Sequence, residues 1–216
     1  MEKYVKSTVY DNIFSTQELT KLIKWFNQAP EADNQGIDPK DNINKHLNYD
    51  LPISPVHQII KPKINELIGP DHVFNAGTYK ELRYPYATHI DNTSYISLST
   101  KESTQNKKYE AAVLIPLVEH EKFNTVVFDI DDDKINLPMG GEMPGSWLTV
   151  EDNGLDLDDF DHINEPTRSQ IKKLPLDFIA KWKLGSLIVW RRNQLHASTN
   201  FAKFGLTKKF IIIFIS

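Results

Sequence analysis

An α+β fold with a sandwich or barrel core is the expectation for this chain, and three features carry it. Apolar residues at helical spacing gather before residue 70. From residue 73 onward they gather instead into short, strand-length runs rich in Val, Ile, Phe and Tyr. Pro, Gly, Asn and Asp punctuate those runs. Helices first and many short strands afterwards suit helices packed on a sheet core rather than alternating βα units.

The elements follow in order. Residues 4–10 read as a short strand. Ser15-Thr16-Gln17-Glu18 has the form of a capping box. Leu19, Leu22, Ile23 and Phe26 then recur at helical spacing. Residues 30–48, rich in Asn, Asp, Gly and Pro, read as a loop. A second helix is expected from Ser54-Pro55, with Val56, Ile59, Ile60, Ile64 and Leu67 as its apolar stripe and Gly69-Pro70 as its end. Pro62 should kink or split it. Strands are expected at 73–84, 95–99, 111–117, 124–129, 185–190 and 209–215. The polar, acidic stretch 131–183 has no clear periodicity. A structureless loop of that length is unusual, so it reads as an inserted flap or lid with short elements of its own.

The 216 residues, 40% of them hydrophobic, suit a single domain (1–216) carrying that insertion. The apolar run 210–215 falls far short of the ~20 residues of a membrane helix, and the first residues lack the apolar core of a signal peptide. A formal charge of −4 argues against non-specific nucleic-acid binding; Lys107-Lys108 and Arg191-Arg192 are the candidate basic patches. Cysteine is absent. Thiolate catalysis and Cys-ligated zinc or iron–sulfur sites are thereby excluded, and a cytoplasmic setting is the default.

The chemistry concentrates in His89-Ile90-Asp91 and a distant His196. In extended chain, residues i and i+2 share a face, so His89 and Asp91 can grip one ion. His196 lies 105 positions after Asp91 (196 − 91), just past the apolar run Leu187-Ile188-Val189-Trp190. Two imidazoles and one carboxylate, with the other positions open, describe the facial triad of non-haem Fe(II) sites. His46, His57, His72, His120 and His162 lie in loop-like or acidic settings and read as surface residues. The acidic run 129–133 fails the calcium-loop pattern, because Lys134 stands where Gly is needed. No phosphate loop and no Gly-x-Ser-x-Gly elbow is present.

The segment 82–92, with Leu195-His196 and the final strand from Lys209, resembles the Fe(II)/2-oxoglutarate-dependent dioxygenase superfamily. The resemblance covers residues 73–129 and 184–216 and is strongest to the branch that includes prolyl hydroxylases. It implies a double-stranded β-helix, a jelly-roll or cupin-like core. It further implies that His89, Asp91 and His196 bind Fe(II) and that 2-oxoglutarate is the cosubstrate. The reaction implied consumes dioxygen, with ascorbate as a candidate reductant, and hydroxylates an unactivated C–H bond of a peptidyl residue, an amino acid or another small metabolite. Relatives that halogenate lack the carboxylate, so Asp91 points to hydroxylation. The family places a basic residue on the last strand to hold the distal carboxylate of 2-oxoglutarate. Lys208 and Lys209 are the candidates, 12 and 13 positions after His196 (208 − 196 and 209 − 196). Strand alternation lets only one point inward, and Lys209 is favoured because an aromatic, Phe210, follows it directly. Tyr79 is a candidate second partner of that carboxylate, and Asn92 a candidate support for Asp91. Tyr84 and Tyr86 either line the pocket or pack outside it. Arg83, Arg191 and Arg192 either meet an anionic substrate or, the favoured reading, serve as exposed ion-pairing residues. The competing readings are a non-catalytic jelly-roll metal-binding or structural module, and a hydrolytic or isomerising cupin metalloenzyme.

Overall fold

The computed structural model describes residues 7–32, 42–47, 54–70, 72–86, 88–89, 91, 111–131, 150–163, 168–169, 171–172 and 174–216. A short strand, β1 (Thr8–Tyr10), leads to Ser15, which starts the first helix. The Ser15 hydroxyl accepts from the Glu18 N–H, and the Glu18 carboxylate accepts from the Ser15 N–H. Two otherwise unsatisfied donors are thus paired. The helix, α1 (Thr16–Gln28), buries Leu22 and Phe26. The second helical stretch divides where Pro62 predicts. A π turn, Val56–Ile60, gives way to α2 (Lys61–Ile68), with the Lys61 N–H bonded back to the Val56 carbonyl. Pro62 has no N–H to give and sits in the first turn of α2, where none is needed.

After β2 (Ile43–His46) and β3 (Phe74–Leu82) come β4 (Ala111–Pro116), β5 (Asn124–Asp131), β6 (Leu176–Lys181), β7 (Leu187–Arg191), β8 (Gln194–Ser198) and β9 (Lys208–Ile215). Among the described residues, six strands form one sheet in the order β1-β7-β4-β9-β3-β2, and three form a second in the order β6-β5-β8. Every pairing among the described strands is antiparallel. The fold is therefore mixed α/β, two antiparallel sheets with helices outside.

Alternation along the strands builds three apolar layers. One face of the large sheet, through Val113, Ile115, Val189, Ile211 and Ile213, packs on Leu22 and Phe26 of α1 and Ile60 and Ile64 of the second helical stretch. The opposite face, through Leu82, Ala112, Leu114, Ile188, Trp190, Phe210 and Ile212, packs on Val127 and Ala180 of the small sheet together with Phe123, Trp182 and Phe201. The outer face of the small sheet, through Val126, Phe128, Ile130 and Ala197, is covered by Val150, Phe160, Ile163 and Ile171. Gly185, at φ 83°, turns the chain into β7, and its carbonyl accepts from the Ile13 and Phe14 N–H groups. An L-residue is strained at that angle.

One expectation needs correction. Residues 30–48 are not wholly a loop. The polar segment Ile-Asn-Lys-His makes edge strand β2, held by its partner β3 rather than by its own propensity. Within 131–183 the short elements expected there are present among the described residues: β6, which joins the small sheet, and a 3₁₀ turn, Leu157–Phe160, in its outer layer. His196, just past the Trp190 run in sequence, lies on a strand of its own, β8, after a turn at Arg192 and Asn193. The strand expected at 95–99 and Asn92 lie outside the described residues, as do Lys107 and Lys108. No helix among the described residues is long and apolar enough to cross a membrane.

Candidate metal centre

Residues 89 and 196 meet as an isolated antiparallel bridge. The His89 N–H bonds to the His196 carbonyl at 3.0 Å, and the His196 N–H to the His89 carbonyl at 2.9 Å. Residues directly opposed in this way point their side chains to one face, and the two imidazole centroids stand 4.3 Å apart. Asp91, two residues beyond His89, closes the group. Its Oδ1 is 3.9 Å from His89 Nε2 and its Oδ2 is 3.6 Å from His196 Nε2. One ligand atom from each of the three lies within 4.8 Å of the others. His196 is buried, whereas the His89 side chain is 39% exposed, so the centre opens on the His89 side.

The donor set fits a divalent transition ion. The His196 Nδ1 faces the Gln194 carbonyl at 3.1 Å. A carbonyl only accepts, so Nδ1 carries the proton and Nε2 presents its lone pair. Asp91 Oδ2 is buried and has no hydrogen-bond partner among the described residues, as expected of a carboxylate oxygen that awaits a cation.

Gln194 is the post beneath His196. It is fully buried, its amide donates to Asp177 Oδ2 (2.8 Å) and the Phe128 carbonyl (3.3 Å), and its Oε1 accepts from Ser7 Oγ and the Arg191 N–H. Gln194→Ala is expected to cost about 2–3 kcal/mol of stability, because it strands several buried groups, and to weaken metal binding. Denaturant unfolding and a metal titration check both; unchanged values would show that Gln194 holds nothing in place.

The two lysines fall on opposite faces of β9. Lys208 pairs with Leu82 and Lys209 with Glu81. Leu82 belongs to the layer between the sheets, so Lys208 points inward there. Its amino group donates to Ser198 Oγ (2.7 Å) and the Asn124 carbonyl (2.9 Å), with the Trp182, Phe201 and Phe123 rings 4.3, 5.0 and 5.6 Å away. No carboxylate pairs with it among the described residues. Burial pushes its pKa well below the ordinary lysine value. Ser198 is two residues from His196 on β8, about 7 Å along a strand, so the amine lies one such step from the His89, Asp91 and His196 cluster.

Lys209, the residue favoured from sequence, points to the helix side. It ion-pairs with Glu81 at 3.3 Å and lies over the Phe26 ring. The expectation that it faces inward is corrected: an aromatic neighbour carries no information on register, whereas pairing to β3 sets it. Tyr79 also faces the helices, edge-on to Phe26, with burial raising its hydroxyl pKa. It lies across the large sheet from the triad.

Tyr84 is exposed, and Tyr86 packs beside His89 with centroids 5.4 Å apart. Arg83 pairs with Glu81 and Arg191 with Asp129, both at 3.5 Å. Arg192 is buried against Phe214, contrary to its expected exposure. Of the five remaining histidines, His46 and His57 are exposed and three depart from the surface reading, among them His120, half-buried beside Phe123. His72 is buried, and its ring faces the Ile68 carbonyl. His162 is half-buried and donates from Nε2 to the Tyr86 carbonyl at 3.2 Å. Burial lowers its pKa, the Tyr86 carbonyl raises it, and Lys208 is near enough to oppose a positive charge there. Its place in an acidic stretch hid it from sequence reasoning. A 510 Å³ surface cavity lined by Glu121, Asp159, Asp177 and Lys181 contains no member of the triad.

No protein-family model matches the chain, and no curated protein matches it by sequence. Solved structures do match its fold. One is an oxidoreductase of the 2OG-Fe(II) oxygenase family from Burkholderia pseudomallei, at 13% identity and a TM-score of 0.53, over 97% of this chain and 84% of that one. A second is the non-heme alpha-ketoglutarate-dependent epimerase SnoN from nogalamycin biosynthesis, at 8% identity and a TM-score of 0.58, over 97% and 77%. A third is HygX from Streptomyces hygroscopicus with nickel, 2-oxoglutarate and hygromycin B bound, at 11% identity and a TM-score of 0.55, over 97% and 82%. None of these three descriptions speaks for the prolyl-hydroxylase branch.

Proposed function

We propose that this chain, which has the fold of the Fe(II)/2-oxoglutarate-dependent oxygenase superfamily, is an enzyme of that chemistry, a dioxygenase that hydroxylates an unactivated C–H bond. The observation that carries this reading is the coexistence of a two-His, one-Asp cluster that includes His196 of β8 with a buried lysine of β9, lacking a carboxylate partner among the described residues, that bonds Ser198 two residues further along β8. Each half alone is ambiguous. Together they match a bound group that chelates a metal at one end and carries a negative charge at the other, as 2-oxoglutarate does.

In this reading His89, Asp91 and His196 hold Fe(II), which when bound supplies the redox chemistry with dioxygen and 2-oxoglutarate. Lys208 and Ser198 hold the distal carboxylate, a charge-assisted contact made stronger by the aromatic walls that exclude water. Lysine offers a point charge rather than the bidentate fork of arginine. Trp182 is itself fixed, its indole N–H donating to Thr125 Oγ1 at 2.9 Å. The substrate is proposed to be a small metabolite or amino acid, with a peptidyl residue as the wider alternative. Neighbours with small molecules bound support the former. Residues 131–183 are proposed to select it, and the setting is proposed to be cytoplasmic.

Succinate release from 2-oxoglutarate, on adding Fe(II) and ascorbate under air, is the test. Slow release without primary substrate is expected. Its complete absence, with metal bound, would favour a non-catalytic metal-binding module.

A further inference from the structure

We propose that His162 is a positioning residue for the metal ligand His89, acting through Tyr86. This role presupposes the metal site proposed above. The chain of contacts is short. The His162 ring donates from Nε2 to the Tyr86 carbonyl, and the Tyr86 ring leans on the His89 imidazole at 5.4 Å. Lys80 completes the hold on Tyr86, donating to its hydroxyl at 2.9 Å.

The need for such a hold follows from how His89 is placed. His89 is the more exposed of the two imidazole ligands. It follows β3 by seven positions (89 − 82) and belongs to no named strand, its backbone tie being the bridge to His196. Upstream, Asn42 secures the turn by accepting from the Arg83 and Tyr84 N–H groups and donating to the Tyr84 carbonyl. Between that anchor and the bridge, His162 grips the Tyr86 carbonyl.

His162 is in turn rigidly mounted. Phe160 is fully buried in the outer layer of the small sheet, and Ile163 packs beside it. Asn200 donates from its backbone to the Asp159 carbonyl and from its side chain to the Asp161 carboxylate, and Lys203 donates to the Asp158 carbonyl. These contacts bolt the 156–163 segment to the connection between β8, which carries His196, and β9, which carries Lys208. The segment expected to be a lid thus includes part of the support of the metal centre, and outer partners of metal-ligating side chains typically change affinity by about 10–100-fold.

The experiment titrates the full-length protein with Co(II), under argon, following the ligand-field absorption and the dissociation constant. His162→Phe is expected to weaken Co(II) about tenfold and to shift the visible bands. His162→Gln, whose amide N–H can replace Nε2–H, is expected to restore both to within about twofold of wild type. Tyr86→Leu, which cuts the same chain one residue later, should shift the bands in the same direction even if His162→Phe fails to fold. Wild-type spectra and affinity in His162→Phe would overturn the role of His162 while leaving the triad intact. The same result in Tyr86→Leu, or failure of Gln to rescue a folded His162→Phe, would also overturn it. If wild type binds no Co(II), or His196→Ala binds it as well as wild type, the metal reading itself falls.

Discussion

His196→Ala is expected to abolish Fe(II) binding and 2-oxoglutarate turnover together. His196 is the buried imidazole of the cluster, its tautomer set by the Gln194 carbonyl and its backbone paired with His89. In the proposed metal site, removal takes away one of three protein ligands. The affinity loss should reach at least the order of 100-fold, the upper end of what outer-shell losses alone cost. The backbone pairing with His89 does not depend on the side chain, so the fold should survive. Iron content after anaerobic loading and desalting, with succinate release on the same samples, decides the matter. Full occupancy and full turnover in His196→Ala would end the assignment of this cluster as the metal centre.

Lys208→Met is expected to raise the apparent KM for 2-oxoglutarate by roughly a hundredfold to several thousandfold, whereas Lys209→Met leaves it within about twofold. A buried charge-assisted pair is worth about 3–5 kcal/mol when one partner is removed, and each 1.4 kcal/mol is tenfold. Lys209 touches Glu81 and Phe26 on the far side of the sheet and has no path to the pocket. The reverse pattern of KM values would show that the register of β9 has been misread.

The same lysine carries a pH signature. Its folded pKa lies well below the ordinary 10.5 because burial disfavours the charged form. Between the two values the unfolded chain holds a proton that the folded chain lacks, so stability rises with pH across that window. Below the folded pKa the penalty is present in full. Without 2-oxoglutarate, the stability of wild type relative to Lys208→Met should therefore climb as pH approaches 10.5. A flat difference in denaturant unfolding across that range would mean that Lys208 is not desolvated.

The order of elements was legible from periodicity and punctuation. The capping box at Ser15, the break at Pro62 and the strands at β3, β4, β5, β7 and β9 all followed from local pattern. What escaped was structure that owes its existence to partners. β2 is a polar tetrapeptide that becomes a strand because β3 has an open edge. β6 lay hidden in an acidic stretch with no alternation strong enough to reveal it. His162 looked like a surface residue because its neighbours in sequence are acidic, whereas in space its ring is half-buried and bonded to the Tyr86 carbonyl.

The members of the candidate metal cluster were readable one at a time, since His-x-Asp on extended chain and a late histidine are statements about residue type and spacing. By itself the sequence determined which side chains could hold an ion, and that one of two adjacent lysines must face inward. Which lysine that is, and that His89 and His196 stand opposite each other, were decided only by the pairing of strands far apart in the chain. The physical reason is the period of two: a one-residue change of register exchanges the faces of a strand, and hydrogen bonds between distant strands, rather than the chemistry of the next residue along, set that register.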